Sequence, residues 1–227
     1  MRRFIFSALL ALTFLAAAPA RAQQDQQALV DRAALAVQEI MRSSESAPEV
    51  ANLLRRARAV LVCPQVFRAG FIFAGEGGAC ALVGRDGSGS WSSPAFYGLG
   101  SGSVGLQIGI QDAMIMIMIL TDRGLQAVMN SQFTFGGDAS LAFAIFGAGV
   151  QGSTTAAAGA DIVAIARTRG LFAGLSLSGS ILTYRPAWAQ AYYGRDVSAR
   201  QIVQAMEVHN PGADPLRAML LRFGSAQ

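Results

Sequence analysis

The stretch Ala113-Met114-Ile115-Met116-Ile117-Met118-Ile119-Leu120 decides the fold class of this chain. It is apolar at every position, so it shows no alternation between a core face and a solvent face. Its eight residues are too few to span a bilayer, which needs about 20. The stretch therefore predicts a central strand that is buried on both faces of a sheet.

Other short apolar stretches, interrupted by glycine, predict the neighbouring strands of that sheet. Before the central strand these are Val60-Leu61-Val62, Phe71-Ile72-Phe73 and Ala81-Leu82-Val83; after it come 139–146, 160–168 and 171–184. Consecutive glycines adopt positive φ at little cost, so Gly75-Glu76-Gly77-Gly78 is predicted to be a hairpin turn. A second turn is predicted at 85–89.

Amphipathic helices are predicted at both ends of the chain. One apolar stripe at helical spacing comprises Leu29, Ala33, Ala36, Val37 and Ile40. Ser46-Ala47-Pro48-Glu49 has the pattern of a capping box that opens a second helix with Val50, Leu53, Leu54 and Ala57 on one face. Further helix starts are predicted at Thr121 or Asp122, at Ser198 and at Asp214-Pro215. The expected fold is α+β, with a twisted antiparallel sheet or partial β-barrel core and these helices at the N- and C-termini.

The N-terminus is typical of a bacterial secretory signal peptide. Arg2 and Arg3 precede an apolar run over 4–18, and Pro19-Ala20-Arg21-Ala22 supplies an Ala-x-Ala cleavage site. We expect cleavage near Ala22 and a periplasmic or secreted product. The remainder is then an N-terminal amphipathic helix over 23–45 and a single domain over 46–227.

Cleavage changes the charge of the protein. The precursor carries 18 basic and 14 acidic residues, for a formal net charge of +4. Loss of Arg2, Arg3 and Arg21 would lower that charge by three, to +1. The high isoelectric point of the precursor therefore gives no support to a nucleic-acid partner.

Two cysteines, Cys63 and Cys80, would meet an oxidising compartment after export. A disulfide between them would stabilise the fold by about 3 kcal/mol in the chain-entropy model. Spacing alone does not show that their Cβ atoms face each other. The interpretation favoured from sequence is two unpaired, buried thiols in neighbouring strands.

Motifs for catalysis, cofactors or metals are almost absent from the sequence. His209 is the single histidine, so neither a structural zinc site nor a hydrolase triad has a second supporting residue. Gly100-Ser101-Gly102-Ser103-Val104-Gly105 matches Gly-x-Gly-x-x-Gly, but an alternating strand pattern follows where a nucleotide site needs a helix. Asp112, Asp138 and Asp161 could gather around a cation or act as an acid–base pair, but satisfying backbone amides is their commoner role. The expectation is a non-enzyme without cofactor, metal or nucleotide.

Ordered motifs in the middle and C-terminal parts resemble the SYLF (Ysc84-like) family. They are Trp91-Ser92-Ser93-Pro94-Ala95-Phe96, Gly105-Leu106-Gln107-Ile108-Gly109 with Asp112, Gly137-Asp138-Ala139, the segment 169–180, and Tyr192-Tyr193-Gly194. The resemblance covers about 48–205 in family order. Ile165 and Ser178 depart from the tyrosine and the acidic residue common in the family. The motif residues carried over are Pro94, Gly105, Gln107, Gly109, Asp112, Asp138, Gly170, Phe172, Gly174 and Gly179.

This resemblance implies a lipid-facing module, because eukaryotic relatives bind phosphoinositide membranes and some bind actin. The densest basic cluster is Arg55, Arg56 and Arg58, with Arg68 nearby in sequence, and guanidinium groups suit phosphate oxygens. Trp91 and the glycine-rich segment 98–105 form a second candidate for headgroup contact. The leading hypothesis is binding to an anionic lipid or membrane surface at the bacterial envelope. An envelope protein-interaction module and an uncharacterised enzyme are the alternatives.

Overall fold

A computed structural model of the protein describes residues 17–43, 47–70, 73–104, 109–137, 140–146, 159–170 and 177–225. The helices are α1 (Ala17–Ser43), α2 (Ala47–Arg56), α3 (Asp122–Met129), α4 (Pro186–Tyr193), α5 (Ala199–Val203) and α6 (Asp214–Gly224), with a 3-10 turn at Pro211–Ala213. The strands are β1 (Ala59–Gly70), β2 (Phe73–Gly84), β3 (Ala95–Val104), β4 (Gly109–Ile119), β5 (Gln132–Thr134), β6 (Phe143–Phe146), β7 (Ile162–Gly170) and β8 (Ile181–Tyr184).

The strands form one strongly curled, eight-stranded sheet in the order β5-β8-β3-β2-β1-β4-β7-β6. Neighbouring strands are antiparallel, except that β6 runs parallel to β7. In β4, the residues from Ile115 to Ile119 are fully buried, as expected for a strand with both faces covered. The α+β half-barrel architecture predicted from sequence is confirmed.

The two faces of the sheet are covered by different helices. On one face, α1 lies across β1, β2 and β4 and also packs on α4 and α6. The predicted apolar stripe of α1, including Leu29, Ala33 and Val37, is buried there. On the other face α5 comes so close to Gly84 that a Cβ at this position would lie 2.3 Å from the Val203 carbonyl oxygen. Only glycine permits that approach.

The predicted hairpin turn at Gly75-Glu76-Gly77-Gly78 is wrong, because these residues lie inside β2. A Cβ at Gly78 would lie 2.7 Å from the Gln65 carbonyl oxygen of β1, so this glycine allows two strands to pack closely. Gly70 ends β1, Phe73 begins β2, and the two strands are antiparallel. The glycine-rich segment expected to form a headgroup-binding loop is likewise a strand from Gly98 to Val104.

The register of this hairpin also corrects the expectation of unpaired cysteines. Val62 pairs with Ala81, and the register shifts by one residue between Val62 and Gln65. Cys63 and Cys80 are therefore opposite each other at the bulge, with their Cα atoms 4.2 Å apart, and they form a disulfide. Both residues are fully buried.

Helix caps account for several of the predicted helix starts. The Thr121 side chain accepts a hydrogen bond from the Gly124 N–H at the start of α3. Ser198 and Gln201 form a reciprocal capping box at the start of α5. α6 begins at the predicted Asp214. The capping residue proposed for α2, Ser46, lies outside the described residues.

Candidate functional site

Four arginines meet at one end of the sheet and form what we call the basic cluster: Arg55, Arg56, Arg58 and Arg85. The first two end α2, Arg58 directly precedes β1, and Arg85 directly follows β2. Together with the turn 86–89 they line a surface depression of about 390 Å³. Three arginines that are close in sequence and a fourth, Arg85, that follows a different strand thus share one concave surface.

Arg85 holds the turn against the end of α2. Its Nη1 atom donates to the Arg55 carbonyl oxygen at 2.7 Å, and its Nε atom donates to the Gly89 carbonyl oxygen at 3.3 Å. Its guanidinium lies 5.4 Å from the centre of the Trp91 ring, within range of a cation–π interaction. The last carbonyl groups of a helix have no partner inside the helix, so a cation at this position also stabilises α2.

The turn itself is organised by Asp86. Its Oδ1 atom accepts hydrogen bonds from the Ser88 N–H at 2.9 Å, the Ser88 hydroxyl at 2.7 Å and the Ser90 N–H at 2.8 Å. These bonds, the Ser88 hydroxyl foremost, lower the pKa of the Asp86 carboxyl. Gly89 has a φ of +90°, a conformation that glycine adopts without strain. The carboxylate therefore organises its own turn while the arginines face the depression.

The arginines of the cluster differ in how far they are already paired. Arg58 lies 3.4 Å from Asp122, but both side chains are more than half exposed, so this pair is weak. Arg55 contacts the Asn52 side chain. Arg56 is exposed and has no hydrogen-bond or ion-pair partner within the described part of the chain. Arg56 and Arg58 are thus the charges most available to an anionic ligand.

Two other residues proposed from sequence for lipid contact, Arg68 and Trp91, do not line this depression. Arg68 pairs with Glu76 across the ladder near the other end of β1, roughly 30 Å from Arg58 by the rise of an extended strand. Trp91 is only 2% exposed and lies among core residues, so its ring is not available to a membrane interface in this structure. Arg85 was not predicted from sequence to belong to the site, but it lines the depression. The turn predicted at 85–89, which begins with Arg85, was the sequence feature that pointed to this residue.

The carboxylates considered for acid–base or metal chemistry are not brought together. Asp161, 3% exposed, accepts hydrogen bonds from the Thr121 hydroxyl and Arg123 at 2.6 Å each and from the Ala142 N–H at 2.9 Å. These bonds, with that from Thr121 the largest effect, lower the pKa of Asp161 to about 2. Asp112 lies in β4, where it pairs with Phe67, and Asp138 lies outside the described residues. Over the described ranges, no three His, Cys, Asp or Glu side chains form a group that could hold a metal ion.

His209 contacts residue types found in catalytic triads, but in an unsuitable arrangement. Its Nδ1 atom is 3.5 Å from the Ser93 hydroxyl and its Nε2 atom is 3.8 Å from Asp214. Ser93 is 3% exposed and accepts a hydrogen bond from the Asn210 N–H, while Asp214 is paired with Arg217 at 2.6 Å. A nucleophile must be accessible to substrate and within about 3.2 Å of its base. The geometry instead fits a link between the C-terminal segment and the sheet.

The residues carried over from the family motifs have mainly structural positions where they are described. The Pro94 carbonyl accepts a hydrogen bond from the Tyr193 hydroxyl at 2.7 Å, which joins two of the motifs. Gly109 begins β4, Gly170 ends β7, and Gly179 has a φ of +82° in the turn before β8. Five of the motif residues lie outside the described residues: Gly105, Gln107, Asp138, Phe172 and Gly174.

The family described as "Ysc84: Las17-binding protein actin regulator" has a sequence profile that matches residues 100–223. The chain belongs to the Ysc84 family. This match confirms the resemblance drawn from the ordered motifs, and it places β4, β7 and the C-terminal helices within the family domain.

Several eukaryotic proteins are relatives of this Ysc84 family member. SH3 domain-containing protein PJ696.02 of Schizosaccharomyces pombe is 32% identical over 163 residues, which cover 70% of this chain and 38% of that protein. SH3 domain-containing YSC84-like protein 1 of Homo sapiens is 30% identical over 154 residues, covering 67% and 45%. LAS seventeen-binding protein 3 of Saccharomyces cerevisiae is 27% identical over 172 residues, covering 74% and 37%.

The Ysc84 chain described here spans less than half the length of these relatives. No solved structure matches it. Among the described residues, no helix combines the length and the apolar character needed to cross a bilayer.

Proposed function

We propose that this Ysc84 family protein is an exported, non-catalytic module that binds anionic headgroups at the bacterial envelope through the basic cluster. One observation carries the proposal: four arginines surround one depression, and Arg56 among them has no protein partner in the described chain. The family description names binding and regulation, which agrees with a non-catalytic role.

The chemistry of the cluster favours phosphate. Guanidinium groups bind phosphate oxygens through paired N–H donors, and Arg85 anchors the turn so that little of the site must be ordered on binding. Each basic residue close to an anionic membrane contributes about 1 kcal/mol to binding. Of the nearby carboxylates, Asp86 bonds to donors of its own turn and Asp122 pairs only weakly with Arg58, so two negative charges stand against four arginines. The depression therefore presents net positive charge to a flat, negatively charged surface.

The test is sedimentation of the protein beginning at Gln23 with anionic or with neutral vesicles, at low and at high salt. We expect binding to anionic vesicles alone, weakened by salt because exposed charges are screened beyond about 8 Å at physiological ionic strength. A triple variant of Arg55, Arg56 and Arg58 to Gln should lose this binding. Binding that ignores lipid charge, or none at all, would contradict the proposal.

Export is part of this proposal, and the contacts of α1 are compatible with it. Two side chains after Ala22 tie α1 to the rest of the protein: Gln26 is buried, and Gln27 donates to the Gly212 carbonyl oxygen at 2.9 Å. A mature chain starting at Gln23 would keep these contacts. Cleavage at the proposed site thus preserves the contacts of Gln26 and Gln27.

Recognition of an envelope protein is the second candidate function. Leu35 and Phe67 are large apolar side chains that remain 63% and 48% exposed. A protein partner can bury such apolar side chains, whereas polar headgroups leave them exposed to water. If anionic vesicles are ignored, cross-linking in intact envelopes should capture a partner with the unmodified protein, and less of it with a Leu35→Ser/Phe67→Ser variant.

A further inference from the structure

A second, smaller cavity lies between α1 and the sheet, well separated from the basic cluster. It has a volume of about 190 Å³. Its charged lining comes from Arg32 and Glu39 of α1, Asp112 of β4 and Arg167 of β7, and its apolar lining includes Leu35 and Met114. Pockets for drug-sized ligands begin at about 300 Å³, so this cavity suits a small molecule.

Two of the four charged side chains of the cavity form an ion pair with each other, and the other two do not. Arg167 lies 3.4 Å from Glu39, which forms an ion pair across the gap between α1 and β7. Asp112 and Arg32 show no hydrogen-bond or ion-pair partner within the described ranges, and the Asp112 Oδ1 atom is shielded from solvent. One negative and one positive group therefore line the same cavity without contacting each other.

Charged side chains without an opposite partner are unfavourable where the wall of a cavity partly removes them from water. A ligand with an ammonium group for Asp112 and a carboxylate for Arg32 would satisfy both residues at once. Leu35 and Met114 would contact an apolar portion of the same molecule. We propose that the cavity binds a small zwitterion with an apolar body, of the chemical class of a free aliphatic amino acid.

The test uses leucine as the probe and records two-dimensional amide NMR spectra of the protein during titration. We expect chemical-shift changes centred on 32–39 and 112–114, saturating below about 10 mM. Leucinamide lacks the carboxylate and N-acetyl-leucine lacks the ammonium group, so each should bind at least tenfold more weakly. Asp112→Asn and Arg32→Gln should each weaken leucine binding at least tenfold, while Arg56→Gln, in the basic cluster, should leave it unchanged.

Several results would overturn this inference. They are the absence of shifts at about 10 mM leucine, equal binding of all three probes, and undiminished binding to both cavity variants. If Asp112→Asn fails to fold, the comparison of the three probes on the unmodified protein decides the question. Vesicle binding through the basic cluster is measured separately, so failure of either proposal leaves the other intact.

Discussion

The guanidinium of Arg85 donates to the main-chain carbonyl of Arg55 at 2.7 Å, which joins the turn after β2 to the last residues of α2. This bond sets the shape of the basic cluster, because it fixes two segments 30 residues apart in sequence. The same side chain also bonds to the Gly89 carbonyl and lies against Trp91. Arg85 is therefore a positioning residue, whereas Arg56 is free to contact a ligand.

Replacing Arg85 should cost stability as well as binding. Arg85→Gln removes two hydrogen bonds to carbonyl groups, each contributing about 0.5–1.5 kcal/mol. We expect the free energy of unfolding, measured in urea, to fall by about 1–3 kcal/mol. Arg56→Gln is the matched control and should change it by less than about 0.5 kcal/mol. Equal stability of the two variants would show that Arg85 does not anchor the turn.

Asp161 should stabilise the fold in a pH-dependent way. Its pKa is lowered to about 2 by its bonds to Thr121, the Ala142 N–H and Arg123, so the carboxylate favours the folded state. That contribution is complete above about pH 4 and disappears as the pH falls towards 2. Asp161→Asn should therefore lower the free energy of unfolding by about 2 kcal/mol at pH 7, and the difference should shrink in acid.

Urea unfolding of this variant at several pH values measures the effect. Asp196→Asn is a suitable control, because Asp196 is exposed in the segment between α4 and α5. A constant difference between unmodified protein and Asp161→Asn from pH 7 to pH 2.5, a range over which the larger part of the contribution should be lost, would contradict this assignment.

The disulfide should contribute strongly to stability. Cys63 and Cys80 are separated by 17 residues, and closing a loop of this size stabilises the fold by about 3 kcal/mol in the chain-entropy model. A Cys63→Ala/Cys80→Ala variant should unfold at lower urea concentration. Reductant should destabilise the unmodified protein similarly but leave the double variant unchanged. Titration of two free thiols in the untreated, exported protein would refute the disulfide.

Processing of the N-terminus is directly measurable. When the full chain is expressed in a bacterial host, we expect N-terminal sequencing of the extracytoplasmic protein to begin at Gln23. Ala22→Leu should block cleavage, because signal peptidase sites require small residues. Detection of Arg2 and Arg3 in the protein purified from the envelope fraction would show that the N-terminal segment is not a cleaved signal peptide.

Patterns within one segment predicted most of the fold. Most of the apolar run at 113–120 lies in the buried strand β4. The side chains of Thr121 and Ser198 cap helices as expected. Helical periodicity identified the buried faces of α1 and α2. Such features depend on neighbours a few residues apart, so sequence reveals them without knowledge of the tertiary structure.

Features that depend on strand register were harder to predict. Gly75 to Gly78 have the composition of a turn, but they serve close packing between strands. Placing the turn there hid the pairing of Cys63 with Cys80, which follows from a register in which Gly70 lies opposite Ala74. A glycine run does not say whether it bends the chain or lets another strand approach.

The candidate site also combines residues that are close in sequence with residues that only tertiary structure brings together. Arg55, Arg56 and Arg58 lie on consecutive elements, so their proximity was predictable, whereas Arg85 joins them only through tertiary structure. Arg68 is close in sequence but distant in space, because β1 extends away from the cluster. Trp91 is buried beneath Arg85, and burial of a single tryptophan cannot be deduced from its sequence motif.

The most direct test of the central proposal compares Arg56→Gln with Arg32→Gln in sedimentation with anionic vesicles at low salt. Both are exposed helical arginines without a described partner, but only Arg56 belongs to the basic cluster. The proposal predicts about fivefold weaker binding for Arg56→Gln, equivalent to about 1 kcal/mol, and unchanged binding for Arg32→Gln. Equal affinity of both variants would contradict a lipid site at the basic cluster.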